Sequence, residues 1–431
     1  MIQNFFLRRF HYNQQARRFF MTIVALGFVI DGVYAVLLNL YLLRLGYDAR
    51  FIGQVNSFGL LTFAIVSLPA GMLGSRWASN QMLRIGLGST LLGTVLLPLA
   101  EYTPPGWQET WFIVTYALIL TGFSLFFVNS APFLMTVVER DKHTNAFALQ
   151  TALLSLAAFA GSLFGGTLPR LIANFNDFNL DDPAPYRYTM MVAAVVVLIA
   201  FFIALTMVKQ PDTESAEVPI PVNERGSRQW VGGFTKAMIM IIAMMSLVRF
   251  LQVAGLATTS VYFNVFLDTH YQLSPDTIGA IASFGRLVAV PATLLAPRLI
   301  KRVSTGRAAM WASLGTALCL LPIALASNWW LTAAGYVSAL SMSNLRFTAF
   351  IVYIMELIPK RHQAVMVGAG ETAAGFSFAL MALGGGYLAT LAGFRELFLL
   401  GAVLSGLGTL VFWLHLRGVN LRNTAQLESV S

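Results

Sequence analysis

The sequence predicts an all-α polytopic membrane protein with twelve transmembrane helices arranged as two six-helix pseudo-repeats. Three observations predict it: about twelve apolar runs of bilayer length, a one-sided distribution of basic residues between them, and a repeat of short motifs at a nearly constant offset. The 431 residues are 57% hydrophobic and 11% charged. A soluble domain carries roughly 25% charged residues, so most of this surface is expected to face lipid.

A helical span needs roughly 20 apolar residues. Runs of that length occupy approximately 19–43, 51–73, 82–100, 111–135, 146–168, 188–208, 235–266, 277–297, 308–326, 329–355, 363–391 and 394–416. Each is expected to be a helix, because a backbone in hydrocarbon must satisfy its own hydrogen bonds. The first run follows Arg8, Arg9, Arg17 and Arg18. It is too long for a signal peptide and no small-x-small site follows, so it reads as a retained span.

The loops test the count. With the N-terminus inside, the inner segments hold twenty of the 28 Lys and Arg residues, among them Arg76, Arg84, Lys142, Lys209, Arg302 and Lys360. The outer segments hold five: Arg44, Arg50, Arg170, Arg187 and Arg395. Arg249, Arg286 and Arg346 fall within spans. This is the positive-inside bias. It predicts an even number of spans with both termini cytoplasmic. It also accounts for the net charge of +9 without nucleic acid.

A polar, proline-containing stretch at 209–234 reads as a flexible linker. It divides the chain into an N-terminal half (1–208) and a C-terminal half with a short tail (235–431). A second polar stretch, about 170–187, reads as an outer loop. The halves resemble each other. Ile52-Gly53 matches Ile278-Gly279, Ser57-Phe58-Gly59 matches Ser283-Phe284-Gly285, and Arg76 matches Arg302, all 226 residues apart. Lys142-His143 matches Arg361-His362 and Gly165-Gly166 matches Gly384-Gly385, both 219 apart. Parallel six-span repeats around a central site are an established transporter design.

After span two the chain reads Gly71-Met-Leu-Gly-Ser75-Arg76-Trp-Ala78-Ser79-Asn80. With the spans, linker and repeat, it resembles the major facilitator superfamily over essentially its whole length. Gly71 and Arg76 match the family's gating motif, and Arg302 belongs to the second-half copy. Ser75 stands where the family has an acidic residue, which bears on the usual gating contact at this loop. The resemblance implies alternating access and a cavity lined by spans one, four, seven and ten.

Those spans carry most of the unusual polar residues: Asp31, Tyr34 and Asn39, then Asn129, then Arg249, Gln252 and Asn264, then Asn344 and Arg346. Arg286 and Glu371 lie in spans eight and eleven. Intramembrane ionisable groups line cavities, relay protons or pair with one another. Pairing as Arg286–Glu371 and Asp31–Arg249 would leave one arginine over. Asp31 is the first candidate for proton coupling and Glu371 the second. Tyr34, Asn39, Asn129, Arg249, Gln252 and Arg346 are the candidate substrate contacts, with Arg346 expected to meet an acidic group, since a guanidinium binds carboxylate or phosphate in bidentate fashion.

The expected function is secondary active transport of a small molecule, coupled to protons, with a small organic anion as substrate. Efflux of a drug-like amphipath and flipping of a lipid headgroup are alternatives, and a membrane sensor is the non-transport alternative. The chain is not read as an enzyme. It shows no nucleophile–base set, and Gly368-Ala-Gly370-Glu-Thr-Ala-Ala-Gly375 lies in a span with no Walker lysine. No cofactor and no metal site are expected. Cys319 is the single cysteine. The partners expected are the substrate, protons and the lipid bilayer; the chain is read as a monomer in the inner membrane of a cell.

Overall fold

A computed structural model describes residues 12–104, 106–139, 143–207, 236–357 and 363–428. The linker expected at 209–234 lies outside them. Among the described residues, twelve long helices follow one another: α1 (Gln14–Arg44), α2 (Ala49–Arg76), α3 (Ser79–Tyr102), α4 (Gln108–Val137), α5 (His143–Asn176) and α6 (Ala184–Leu205), then α7 (Lys236–Tyr271), α8 (Pro275–Val303), α9 (Thr305–Leu325), α10 (Trp329–Glu356), α11 (Gln363–Leu391) and α12 (Phe394–Glu428). Eleven of these are long and apolar enough to cross a membrane. The other, α8, has 29 residues, also more than a span requires.

Polar side chains start several helices. Asn13, Asp48 and Asn328 each accept a hydrogen bond from a backbone N–H in the first turn of α1, α2 and α10. An N-cap of this kind contributes about 1 kcal/mol. Asn328→Ala is therefore expected to lower the melting temperature of the purified protein, whereas Asn328→Asp should keep it near the parent value.

Three segments differ from the sequence expectation. Helix α5 continues through the stretch read as a loop from 170, ending at Asn176, and α6 begins at Ala184. Arg170, within the helix, donates to Asp276 on α8 (2.8 Å), and the turn comes at Asp177, whose φ of 55° is left-handed. Helix α12 runs on to Glu428, well past the apolar run. Within α1, Gly27–Tyr34 is a π-helix between two α-helical segments. Asp31 lies inside it.

The two sets of six helices pack by one pattern. Contacts of α1 with α5 and α6, of α4 with α2 and α3, and of α3 with α6 recur as α7 with α11 and α12, α10 with α8 and α9, and α9 with α12. Between the sets, α2 packs against α11 and α5 against α8. Small residues permit the close crossings. A Cβ on Gly53 would strike the Ala382 carbonyl and the Tyr262 hydroxyl, and one on Gly386 would meet the Ala49 carbonyl at 2.5 Å. Gly166 and Gly279 face each other in the same way. Of the glycines that repeat along the sequence, Gly53, Gly166 and Gly279 stand where the two sets touch.

These crossings lie toward the face opposite the chain termini. There Arg44 at the end of α1 makes a bidentate pair with Asp268 of α7 (2.7 and 2.6 Å). Asn39 donates to the Val261 carbonyl (2.6 Å), and Asn264 donates back to the Ala35 carbonyl (2.9 Å). Toward the termini the described residues pack less closely. A Cβ on Gly368 or Gly370 of α11 would have nothing within 4 Å, and Glu371 is half exposed.

Candidate functional site

Eight helices enclose a central cavity of about 840 Å³, within the usual range for small-molecule sites. Its walls come from α1, α2, α4 and α5 of one set and α7, α8, α10 and α11 of the other. Among the described lining residues, the charged ones are Asp31 and Arg286. They stand on opposite sets and within electrostatic range of each other. Neutral polar groups surround them: Tyr34, Asn39, Asn56, Tyr116, Thr259, Ser260, Asn264, Tyr336 and Asn344. Leu60, Phe63, Leu120 and Phe123 supply apolar wall.

The π-helical turn positions Asp31. Gly27 and Gly32 stand five residues apart, the hydrogen-bond period of a π-helix, and both press on α5. A Cβ on Gly27 would meet the Leu154 carbonyl at 2.9 Å, and one on Gly32 the Gly161 Cα at 2.6 Å. Tyr34, on the same segment, donates to the Thr94 carbonyl (3.4 Å).

The repeat also places two tyrosines that the sequence reading missed. Tyr116 of α4 rests over Gly59, and Tyr336 of α10 over Gly285. Both line the cavity. The signal was present in the matched Ser-Phe-Gly segments. A repeated glycine makes room for a partner, and the partner in each half is a tyrosine.

Of the sequence candidates, Asp31, Tyr34 and Asn39 line this cavity. Arg249, Gln252, Arg346 and Glu371 form a second cluster on α7, α10 and α11. Arg249 contacts Glu371 (3.1 Å), and its guanidinium lies over Phe347, 4.9 Å from the ring centroid. Arg346 is 1% exposed and donates to Ser343 Oγ (3.0 Å) and Gln252 Oε1 (3.4 Å). Asn129 is elsewhere again, buried and donating to the Ala70 carbonyl (3.2 Å), where it ties α4 to α2. Gly71 and Arg76 close α2; their side-chain surroundings lie outside the described residues. Arg302 is exposed near the end of α8.

The charge pairing is the reverse of the sequence expectation. Glu371 belongs to Arg249, and Arg286 shares the cavity with Asp31. Register explains it. The reciprocal bonds of Asn39 and Asn264 set α1 level with α7 and place Leu256 opposite Asp31. Arg249 is two turns from that level, about 10 Å closer to the termini face at 1.5 Å per residue. It is too low for Asp31 and is instead beside α11, its neighbour within the same half. Among the described residues, no group of three or more His, Cys, Asp or Glu side chains could hold a metal ion.

Known proteins place this architecture. The chain superposes on a mutant of the nucleoside transporter NupG with a TM-score of 0.71 at 14% identity, covering 93% of this chain and 99% of that one. A D-xylose–proton symporter gives 0.69 at 14%, covering 92% and 97%. The xylose transporter XylE from E. coli gives 0.70 at 12%, covering 92% and 95%. At these identities the likeness shows the fold alone. No curated protein sequence matches the chain. The family model described as Major Facilitator Superfamily matches residues 19–255 and again 245–430, each match taking in one set of six helices. With that double match over a two-fold arrangement of helices and a central cavity, the chain belongs to the Major Facilitator Superfamily: it is an integral membrane transporter, not an enzyme.

Proposed function

We propose that the protein carries a small monovalent organic anion together with a proton, with Asp31 taking the proton and Arg286 the anion. The observation that carries this reading is that one carboxylate and one guanidinium are the charged groups described in the cavity wall. With Asp31 ionised, the pair is neutral and Arg286 has a counter-charge. Protonation of Asp31 leaves the Arg286 cation without that counter-charge, and a monovalent anion supplies it. Proton and anion therefore support each other's binding, because carboxylate and cargo compete for one guanidinium. In this reading Arg286, which lines the cavity, takes the role that the sequence suggested for Arg346, which is not among the lining residues. The neutral polar wall, to which Tyr116 and Tyr336 belong, can hydrogen-bond the rest of the substrate.

Related folds support proton coupling, since a D-xylose–proton symporter and proton-dependent oligopeptide transporters share this architecture. The basic residues near the termini support an orientation with both termini cytoplasmic. In that orientation the tight α2–α11 and α5–α8 crossings close the outer side. Alternating access then consists of opening the α2–α11 and α5–α8 crossings and closing the opposite ends.

Uptake into liposomes of a panel of small carboxylates, driven by an imposed pH gradient, tests the reading. One proton with one monovalent anion moves no net charge. Uptake is expected to follow the pH gradient and to ignore the membrane potential. Arg286→Gln should reduce it at least tenfold. Equal uptake of the same anion by Arg286→Gln, or transport confined to cationic amphipaths, would overturn the assignment.

A further inference from the structure

We infer that Arg249, Arg346 and Gln252 form a second site for a small monovalent anion, lying between the central cavity and the termini face, with the Glu371 carboxylate as its built-in competitor. The cavity and the assignment of Asp31 and Arg286 play no part in this inference.

The cluster contains two guanidiniums and one carboxylate, and the three groups lie within electrostatic range of one another. Arg346 is 1% and Arg249 5% exposed. A buried charge without a partner carries a large desolvation penalty. Glu371 meets Arg249 with a single contact at 3.1 Å, and its own side chain is 49% exposed. Arg346 has neutral partners, Ser343 and Gln252, but no carboxylate among the described residues.

Hydrogen-bond chemistry points the same way. Nε and Nη1 of Arg249, Nε of Arg346 and Nε2 of Gln252 are all buried and have no hydrogen-bond partner among the described residues. Every one is a donor. A guanidinium has no acceptor to offer in return, so the two arginines cannot satisfy each other. An anion supplies both the missing charge and the missing acceptor atoms. The excess of one positive charge over Glu371 matches a monovalent anion, such as a halide or a single carboxylate group.

Glu371 fits the role of competitor. It is held on one side by Arg249, is exposed on the other, and sits on the stretch of α11 where Gly368 and Gly370 leave open space. It can turn out as an anion enters. The same chemistry is met by a free inorganic anion or by the carboxylate of a cargo molecule on its way to the cavity.

The purified parent protein in detergent would be titrated with sodium chloride and, separately, sodium acetate. The sodium salt of a bulky sulfonate buffer would keep the ionic strength constant, and the melting temperature would be the readout. Saturable stabilisation is expected, since a ligand of the folded state raises the melting point by mass action. Glu371→Gln should tighten the apparent affinity about tenfold, equivalent to about 1.4 kcal/mol. Arg346→Met should abolish the response to chloride. Stabilisation by both anions identifies a site open to carboxylates; stabilisation by chloride alone identifies an inorganic-ion site. Either supports the inference. No saturable response in parent and Glu371→Gln, an unshifted affinity in Glu371→Gln, or an undiminished chloride response in Arg346→Met would each overturn it. The glutamine variant carries the test even if Arg346→Met does not fold.

Discussion

Asp31→Asn is expected to abolish accumulation driven by a pH gradient while leaving exchange of substrate for substrate intact. Asparagine keeps the size and polarity of the side chain but can neither take up nor release a proton. The neighbouring Arg286 would keep its charge, so an anion could still bind. A one-unit pH gradient corresponds to about 1.4 kcal/mol, or a tenfold concentration ratio, for each proton coupled. The variant should lose that ratio and only equilibrate. Counterflow in preloaded liposomes measures the retained exchange. Asp31→Asn uptake that still responded fully to the pH gradient would show that the proton travels elsewhere, with Glu371 the next group to replace.

Gly386→Val is expected to reduce transport at least a hundredfold, whereas Gly384→Val, two positions away on the same helix, should stay near parental activity. At Gly386 an added Cβ meets the Ala49 carbonyl at 2.5 Å and the Arg50 Cα at 3.0 Å. These are backbone atoms of α2 and cannot turn aside as a side chain can. The α2–α11 crossing would be wedged apart, and overpacking at such a contact typically costs about 1–3 kcal/mol or more. At Gly384 an added Cβ has nothing within 4 Å. Placing the two variants side by side separates the crossing from the general effect of a β-branched residue in α11. The wedge should also expose the cavity to the face opposite the termini. That is measurable by labelling with an impermeant thiol reagent at Ala282→Cys in a background carrying Cys319→Ser.

Much of the fold was legible because a bilayer enforces a simple rule. Twenty apolar residues make a helix almost irrespective of their identity, so the spans and their pairing into halves follow from hydropathy and the 226- and 219-residue offsets. Asp31 was legible for the same reason, as a charge where charges are costly. The partners of the charges were not. Whether Arg249 meets Asp31 or Glu371 depends on the rotation and level of α7 against α1 and α11, and a register of two turns leaves no mark in composition. Arg286 was visible as an intramembrane cation but was assigned to the wrong carboxylate. Tyr116 and Tyr336 were hidden among many aromatic residues that simply pack. The π-helical turn around Asp31 was foreshadowed only by the five-residue spacing of Gly27 and Gly32.

The reciprocal bonds of Asn39 and Asn264 have a consequence for leakage. Each carboxamide borrows a backbone carbonyl from the opposite half, so the two bonds must break and re-form together as the halves rock. A conformer with one bond broken would strand a largely buried carboxamide, at a cost of about 1–3 kcal/mol. Partly parted arrangements are therefore disfavoured relative to both end states. A carrier that passes quickly through such arrangements spends little time open to both sides at once, and the gradient that powers it is not dissipated through its own pore.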